Sequence, residues 1–197
     1  NNYIKILDEK SQRLKQLTED LVETSRITSG NVKLDMQQID LVELIYQTAG
    51  EFNEKFESKE LTIVTKLPKG EVMILADGRQ LYRVIENLYN NVAKYALEKT
   101  RVYVDVQAGE EAAVFSIKNV SEKSLALENS NAGDLTERFI RGDSSRTTEG
   151  SGLGLSIAKS LTRLMGGNFE IGVDGDLFKA TITFPLWVIE KETETEE

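Results

Sequence analysis

The amino-acid sequence predicts an α+β fold built as a two-layer α/β sandwich. Helices are expected to cover one face of a mixed sheet, and a long N-terminal helix precedes these layers. Apolar residues recur at helical spacing in some segments and alternate strictly in others. The two kinds of segment follow one another in mixed order, without the regular strand–helix–strand repetition of parallel sheets. With 197 residues, of which 40% are hydrophobic, the chain is long enough to bury a core.

The composition excludes several classes of protein. A formal charge of -9 argues against a nucleic-acid partner. The absence of cysteine and histidine excludes disulfides, thiolate metal sites and a histidine base within this chain. No apolar run reaches about 18 residues, so we expect no membrane contact by this chain. Because it begins at Asn1 without an initiator methionine, we expect it to be part of a longer protein.

Residues 3–28 are predicted to form one long helix. A seven-residue a/d repeat, interrupted once by Lys10, is occupied by Tyr3, Leu7, Leu14, Leu17, Leu21, Thr24 and Thr28. Such a seam is typical of a helix that packs against a partner helix, although packing on its own domain gives the same pattern. Since no second helix of similar length follows, we favour a partner from outside this chain. Ser29, Gly30 and Asn31 are turn-forming residues that end the helix.

The remaining elements follow from the two periodicities. Asp40 is expected to cap a helix that carries Leu41, Leu44, Ile45, Thr48, Phe52 and Phe56. Further helices are predicted at 78–97 and 153–165. Strands are predicted at 32–36, 61–67, 72–76, 102–106 and 113–117, followed by a hairpin of 169–173 and 180–184 around Gly175. Residues 120–150 are polar and irregular, and the acidic residues 190–197 are expected to be disordered.

The helix at 78–97 carries two different stripes. Its apolar face holds Leu81, Val84, Ile85, Leu88 and Val92. Asn87, Asn91 and Lys94 lie at i, i+4 and i+7 on another face, with Tyr95 beside them. Amide oxygens suit Mg²⁺ and a lysine ammonium suits phosphate. On this pattern alone, however, a solvated face is the favoured interpretation.

Three glycines alternate directly before the helix at 153–165. The run consists of Gly150, Ser151, Gly152, Leu153, Gly154 and Leu155. Glycines let backbone N–H groups approach an anion, and a helix N-terminus favours negative charge, so the run is typical of a phosphate cradle. A flexible loop before a helix gives the same pattern. The run does not match a Walker A loop or a dinucleotide-binding fingerprint.

Upstream of it, a polar segment with Arg138, Arg141 and Arg146 is either a lid over a ligand or an ordinary surface loop.

Taken together, these motifs resemble the catalytic and ATP-binding domain of sensor histidine kinases. That domain has a Bergerat-type fold, shared with certain chaperones, type II topoisomerases and a mismatch-repair ATPase. The stretch 86–95 matches the family's N box, Glu137-Arg138-Phe139 with Arg141 and Arg146 matches the F box, and 150–155 matches the G2 box. The resemblance covers about residues 32–187. Residues 3–28 resemble the second helix of the family's dimerisation domain, which accounts for the heptad seam.

The resemblance implies a division of the chain and a set of partners. Residues 1–30 would be part of a dimerisation helix, 31–188 the ATP-binding catalytic domain, and 189–197 an acidic tail. The chain would transfer the γ-phosphoryl group of ATP to a histidine upstream of Asn1. Its partners would be its own histidine helix, a second protomer and a response regulator. It would be the cytoplasmic part of a membrane-bound bacterial sensor kinase.

The resemblance also implies roles for single residues. Asn91 would hold Mg²⁺ and Asn87 would help to order the metal. Lys94 would reach the phosphates of ATP, and Tyr95 would lie against the nucleotide. Phosphate oxygens would bind the G2 run, chiefly the backbone amides of Leu153, Gly154 and Leu155. The lid would span 121–150. The candidate catalytic residues are Glu86, Asn87, Arg141 and Arg146.

The sequence departs from the family pattern at the G1 box, which normally reads Asp-x-Gly-x-Gly. Here Asn119 stands where the family has the aspartate that accepts a hydrogen bond from adenine, and the G1 glycines are absent. An amide oxygen can accept that bond without charge assistance, so we expect weak nucleotide binding. The alternative is a pseudokinase, a scaffolding module that does not use ATP. Another Bergerat ATPase is disfavoured by the dimerisation-like helix.

Overall fold

A computed structural model describes residues 2–28, 32–122 and 153–187. These residues form five helices: α1 (Asn2–Thr28), α2 (Leu41–Glu51), α3 (Asn53–Glu57), α4 (Gly78–Tyr95) and α5 (Gly154–Leu164). They also form seven strands: β1 (Gln37–Asp40), β2 (Thr62–Lys66), β3 (Met73–Ala76), β4 (Arg101–Ala108), β5 (Ala112–Val120), β6 (Asn168–Asp174) and β7 (Leu177–Pro185). The predicted α+β class is confirmed.

Five of the strands form one mixed sheet in the order β2-β4-β5-β7-β6. β2 is parallel to β4, and the other neighbouring strands are antiparallel. The parallel pair requires a crossover connection, and α4 supplies it. β1 and β3 pair with each other as a separate antiparallel ribbon, which the sequence did not predict. The predicted hairpin is confirmed, and the left-handed φ of 59° at Gly175 in its turn explains the glycine there.

The sheet buries one of its faces. On β4, Val102, Val104 and Val106 are buried, whereas Tyr103 between them is exposed and Asp105 is half-buried. The buried faces of the strands join side chains from α2, α4 and α5 in one hydrophobic core. The two layers that the alternating pattern predicts are therefore present, with the helices on one side.

Helix α4 is the most deeply packed helix of the core. Its fully buried side chains are Leu81, Val84, Ile85, Leu88, Tyr89 and Val92. Tyr89 adds to the predicted apolar face, and its ring lies 5.4 Å from that of Phe52 and 5.8 Å from that of Phe56, between centroids. This burial fixes the rotation of α4 about its own axis, and therefore fixes the direction of its polar residues.

Asp77 fixes the first turn of α4. Its carboxylate accepts a hydrogen bond from the backbone N–H of Gln80 at 3.1 Å and another from the N–H of Asp35 at 3.0 Å. An N-cap carboxylate satisfies helix donors that have no intrahelical partner and complements the positive end of the helix dipole. The same side chain thus caps α4 and ties it to the segment before β1.

Three of the predicted boundaries were wrong. No strand forms at 32–36, and β1 begins at Gln37, because the N–H of Asp35 is bonded to Asp77 instead of a neighbouring strand. The helix that Asp40 caps ends at Glu51, and Phe52 separates it from α3. Helix α4 ends at Tyr95 and not at Leu97, since the N–H of Leu97 bonds to Val120 on β5.

The predicted N-terminal helix is confirmed as α1. Several of its large apolar side chains are exposed, including Tyr3, Leu7, Leu14 and Leu21. This exposure agrees with a seam that faces a partner outside the chain. Near its C-terminal end, α1 packs against the other elements. The division into domains at residues 30 and 188 stays a prediction.

The carboxylate of Asp77 is expected to make stability depend on acid pH. Burial alone would raise the pKa of Asp77, but the backbone N–H groups of Asp35, Gln80 and Arg79 outweigh it and hold that pKa below 3.8. A depressed folded-state pKa means that the ionised form stabilises the fold above about pH 4, and that this contribution is lost as pH falls through the folded pKa.

We therefore expect Asp77→Asn to lower the free energy of unfolding at pH 7 by about 1 kcal/mol, because the amide keeps only one acceptor oxygen for the N–H groups of Gln80 and Asp35. The variant should also lose stability less steeply than wild type between about pH 5 and pH 3. Urea unfolding across this range measures both effects. Asp8→Asn, which neutralises an exposed carboxylate on α1, serves as the control. Parallel pH profiles for Asp77→Asn and wild type would contradict the assignment.

Candidate active site

The polar stripe predicted on α4 is present. Asn87, Asn91 and Lys94 are all half-buried and follow one another along the edge of the apolar face. Glu86 is half-buried beside Asn87. The ammonium of Lys94 lies 5.0 Å from the centre of the Tyr95 ring, a cation–π contact at the last turn of the helix. Amide oxygens and a cation therefore lie along one edge of α4, and Glu86 lies on a neighbouring face of the same turn.

The start of α5 lies directly against this stripe. A Cβ atom added to Gly154 would lie 3.0 Å from the side-chain oxygen of Asn87 and 3.6 Å from its Cγ. Only glycine allows the backbone of α5 to approach Asn87 this closely without displacing it. The end of the glycine run and the asparagine stripe, which are far apart in the sequence, thus meet at one place.

The N-terminus of α5 is suited to bind an anion. Leu153 occupies the N-cap position, where its side chain has no acceptor for the N–H groups of the first turn. The Leu153 carbonyl accepts hydrogen bonds from the N–H of Ile157 at 2.9 Å and from the hydroxyl of Ser156 at 2.7 Å. Leu155 is buried and anchors this turn in the core. The N–H groups and the helix dipole together favour a negatively charged ligand.

Asn119 supplies a buried hydrogen-bond acceptor near the end of β5. The residue is 1% exposed, and its side-chain NH₂ donates to the carbonyl of Val120 at 3.0 Å. That carbonyl can only accept, so the amide must turn its nitrogen toward it. The Asn119 oxygen then has no hydrogen-bond partner among the described residues. A buried acceptor in this state costs about 1–3 kcal/mol, so a ligand N–H that reached it would be bound favourably.

The ends of α4 and β5 are joined by backbone hydrogen bonds. The N–H of Leu97 donates to Val120 at 2.9 Å, and the N–H of Glu122 donates to Tyr95 at 2.9 Å. On the other side of this junction, the N–H of Ser121 donates at 2.7 Å to the carbonyl of Asp176, in the turn of the β6–β7 hairpin. Asn119 is thereby held close to Tyr95, so the polar stripe, the start of α5 and the end of β5 meet at α4. The predicted arginine-bearing segment lies outside the described residues.

A cleft of about 820 Å³ separates α1 from the N-terminal half of α4, and Glu86 and Asn87 contribute to its wall. Asp20 of α1 is buried, and its carboxylate lies 3.9 Å from the guanidinium of Arg83. No sequence pattern indicated this pair, because its members belong to helices far apart in the chain.

Several predicted site residues lie outside the described residues. These are Arg141, Arg146, Gly150, Ser151 and Gly152, together with the predicted lid from residue 123 onward. Their roles stay predictions.

In the described part of the chain, acidic side chains do not gather in groups of three that could hold a metal. Within the same residues, each helix is too short or too polar to cross a lipid bilayer.

Residues 76–188 match the model of the family described as histidine kinase-, DNA gyrase B- and HSP90-like ATPases. The match covers more than half of the chain and includes α4, β5 and α5, the three elements that form the candidate site. The chain therefore belongs to this family of ATPases. The resemblance inferred from the N, F and G2 motifs is confirmed.

Relatives of this chain are named as sensor proteins or as histidine kinases. The probable sensor protein PcoS of Escherichia coli is 31% identical over 170 residues, 85% of this chain and 35% of PcoS. The circadian input-output histidine kinase CikA of Synechococcus elongatus is 27% identical over 197 residues, 96% of this chain and 25% of CikA. The sensor histidine kinase WalK of Bacillus subtilis is 26% identical over 187 residues, 93% of this chain and 30% of WalK. The chain thus spans only about a quarter to a third of these relatives.

Solved structures of histidine kinases share the fold. AdeS of Acinetobacter baumannii superposes with a TM-score of 0.75 at 17% identity, over 93% of this chain and 83% of AdeS. Full-length ShkA in complex with AMPPNP superposes with a TM-score of 0.78 at 23% identity, over 95% of this chain and 39% of ShkA. Both superpositions cover more of the chain than the family match does.

The contact between Gly154 and Asn87 predicts the effect of one methyl group. We expect Gly154→Ala to push the Asn87 side chain away, because 3.0 Å is shorter than an ordinary contact of a Cβ atom. The side-chain amide signals of Asn87 in an NMR spectrum should therefore shift. Gly50→Ala on α2 is the matched control, since a Cβ there meets no atom within 4 Å. Unchanged Asn87 signals in Gly154→Ala would contradict the contact.

Proposed function

We propose that this chain is the ATP-binding catalytic module of a sensor histidine kinase, and that it transfers the γ-phosphoryl group of ATP to a histidine. The observation that carries the proposal is the convergence on α4. One helix brings together the asparagine stripe, the N-terminus of α5 and the end of β5 with its buried acceptor. These features suit ATP: amide oxygens for the metal ion on its phosphates, helix N–H groups for the phosphate oxygens, and a buried acceptor for the amino group of its base.

The base of the nucleotide is assigned to Asn119. The unpaired oxygen of its amide is a suitable acceptor for the exocyclic amino group of adenine, and the carbonyl of Val120 holds it in that orientation. Guanine carries an oxygen at the equivalent position, which would meet the Asn119 oxygen as a second acceptor. Tyr95, whose carbonyl accepts the N–H of Glu122 just beyond β5, is assigned to offer an apolar ring surface to the nucleotide. We therefore expect adenine to be preferred over guanine.

The phosphates and the metal are assigned to α4 and α5. Asn91 would hold Mg²⁺ through its amide oxygen, with Asn87 nearby, while water and phosphate oxygens would supply the other ligands. This donor set fits Mg²⁺, which is usually bound by few protein oxygens and keeps several waters. When bound, the ion neutralises charge on the phosphates. Lys94 and the first N–H groups of α5 add positive potential, which the chain's net charge of -9 does not provide.

The transfer needs an acceptor that this chain does not contain, because it has no histidine. We assign the acceptor to a histidine helix outside the 197 residues, positioned by packing against the exposed seam of α1. Glu86, which lines the cleft between α1 and α4, is the candidate to accept the proton that the attacking imidazole releases. Arg141 and Arg146 are assigned to the charge on the γ-phosphoryl group. A second protomer and a response regulator complete the proposed partners.

The alternative function is a scaffolding pseudokinase that transmits conformation without ATP. The observation in its favour is the neutral Asn119 at the position where the family has an aspartate. Against it, Asn119 keeps the buried acceptor that the adenine amino group requires. Nucleotide binding decides between the two functions.

The first test is calorimetric titration with AMPPNP, with and without Mg²⁺. We expect weak binding that Mg²⁺ strengthens. Asn91→Ala should remove that strengthening, because it deletes the metal's protein ligand. Asn90→Ala is the matched control, since Asn90 is exposed on another side of α4 and accepts a hydrogen bond from Lys55. No detectable binding by folded wild type at millimolar AMPPNP would favour the pseudokinase.

The second test addresses the transfer itself. A longer chain that includes a histidine helix ahead of Asn1 should become labelled by ATP radioactive at its γ-phosphate. The label should be lost in acid and kept in base, as expected for a phosphohistidine. The 197-residue chain alone should stay unlabelled because it has no histidine. If the longer chain binds Mg·ATP and yet stays unlabelled, the kinase proposal is wrong.

A further inference from the structure

A lysine far from α4 in the sequence caps the C-terminal end of that helix. Lys59 lies in the turn between α3 and β2 and is half-buried. Its ammonium donates hydrogen bonds to the carbonyl of Lys94 at 3.0 Å and to that of Ala96 at 3.3 Å. The last carbonyls of a helix have no intrahelical donors and carry the negative end of its dipole. An ammonium group satisfies both requirements.

The carbonyls that Lys59 binds flank a residue of the proposed nucleotide site. Tyr95 lies between Lys94 and Ala96, and its own carbonyl accepts the N–H of Glu122. The N–H of Leu97, the residue after Ala96, donates to the carbonyl of Val120. The same carbonyl also accepts a hydrogen bond from the side-chain NH₂ of Asn119. The backbone that Lys59 fixes therefore holds both Tyr95 and the segment that orients Asn119.

Lys59 is itself held in place from the other side. Its carbonyl accepts a hydrogen bond from the N–H of Lys99 at 3.0 Å, and the N–H of Thr62 donates to Thr100 at 3.0 Å. These bonds fasten the turn before β2 to the turn before β4. A lysine on a freely moving surface loop would lose much of its hydrogen-bond energy to side-chain entropy, whereas here the backbone beneath the side chain is fixed.

We propose that Lys59 is a positioning residue for the nucleotide. It acts through the backbone of residues 94–97 and keeps Tyr95 and Asn119 in register, without touching the nucleotide itself. The proposal rests on the proposed function, because it assumes that adenine binds at Asn119. Lys59 was not recognised in the sequence, where it is one of many lysines and follows no motif.

If Lys59 has this role, removing its charge should both loosen the backbone at this junction and weaken nucleotide binding. Lys59→Met keeps the apolar part of the side chain and removes the charge. We expect hydrogen exchange at the amides of Leu97 and Glu122 to become about tenfold faster, because the loss of a charge-assisted hydrogen bond allows this junction to open more often. Exchange at Ile117, within β5, should not change. The dissociation constant for AMPPNP should rise about fivefold, by the same factor with and without Mg²⁺, as expected for lost preorganisation.

Two further variants separate positioning from general stabilisation. Lys59→Arg restores a cation and should recover most of the affinity. Lys99→Met removes a lysine of the adjoining turn whose ammonium lies 3.3 Å from Glu60 and is exposed, and it should change neither measurement. If Lys59→Met does not fold, Lys59→Gln is used, since it keeps a neutral donor.

The outcomes are distinct. Faster exchange at Leu97 and Glu122 with weaker AMPPNP binding supports the proposal. Faster exchange throughout the sheet would make Lys59 a general stabiliser and overturn it, and so would unchanged affinity despite local opening. If folded wild type binds no AMPPNP, the proposed function fails and the role of Lys59 fails with it. Wild-type binding that Lys59→Met retains would overturn only the role of Lys59.

Discussion

The burial of one face of α4 is the constraint on which the rest of the structure depends. Its six core side chains are fully excluded from water, and together they form the largest contiguous apolar contribution of any helix. A helix packed this closely cannot rotate without opening cavities. The half-buried Asn87, Asn91 and Lys94 are therefore held in one direction by residues that take no part in chemistry. Precision at the candidate site is a result of packing behind it.

The electrostatics of the site are local. The chain as a whole is acidic, so its overall field would repel a nucleotide. What favours an anion here is a set of oriented groups: the N–H groups at the start of α5, the ammonium of Lys94 and the dipole of a short helix. Asp77 is bonded to the N-terminal end of α4, and Lys59 is bonded to its C-terminal end. Each side chain carries the charge that complements the partial charge of that helix end. Both ends of the central helix are thereby fixed.

Elements with a periodic apolar pattern were predicted correctly from the sequence, whereas contacts between distant segments were not predicted. The apolar stripe of α4 and the alternation of β4 follow from repeats of 3.6 and 2 residues, so their existence and buried faces were correct. The wrong prediction of a strand at 32–36 shows the limit of such local patterns. The N–H of Asp35 is bonded to Asp77, and no local pattern reveals that bond. The contact of Gly154 with Asn87 and the cap by Lys59 likewise join distant segments. The candidate site residues were predicted from motifs, but the contacts that hold them were not predicted.

The hydrogen bond from Ser121 to Asp176 has a consequence for how the protein is made. Asp176 belongs to the turn of the β6–β7 hairpin, so the strand end beside Asn119 is complete only after that hairpin has been synthesised and has docked. A ribosome-bound chain that ends before β7 lacks the strand that lies between β5 and β6 in the sheet. We therefore expect nucleotide to bind completely synthesised molecules and to stabilise them by mass action. It should not stabilise incomplete chains.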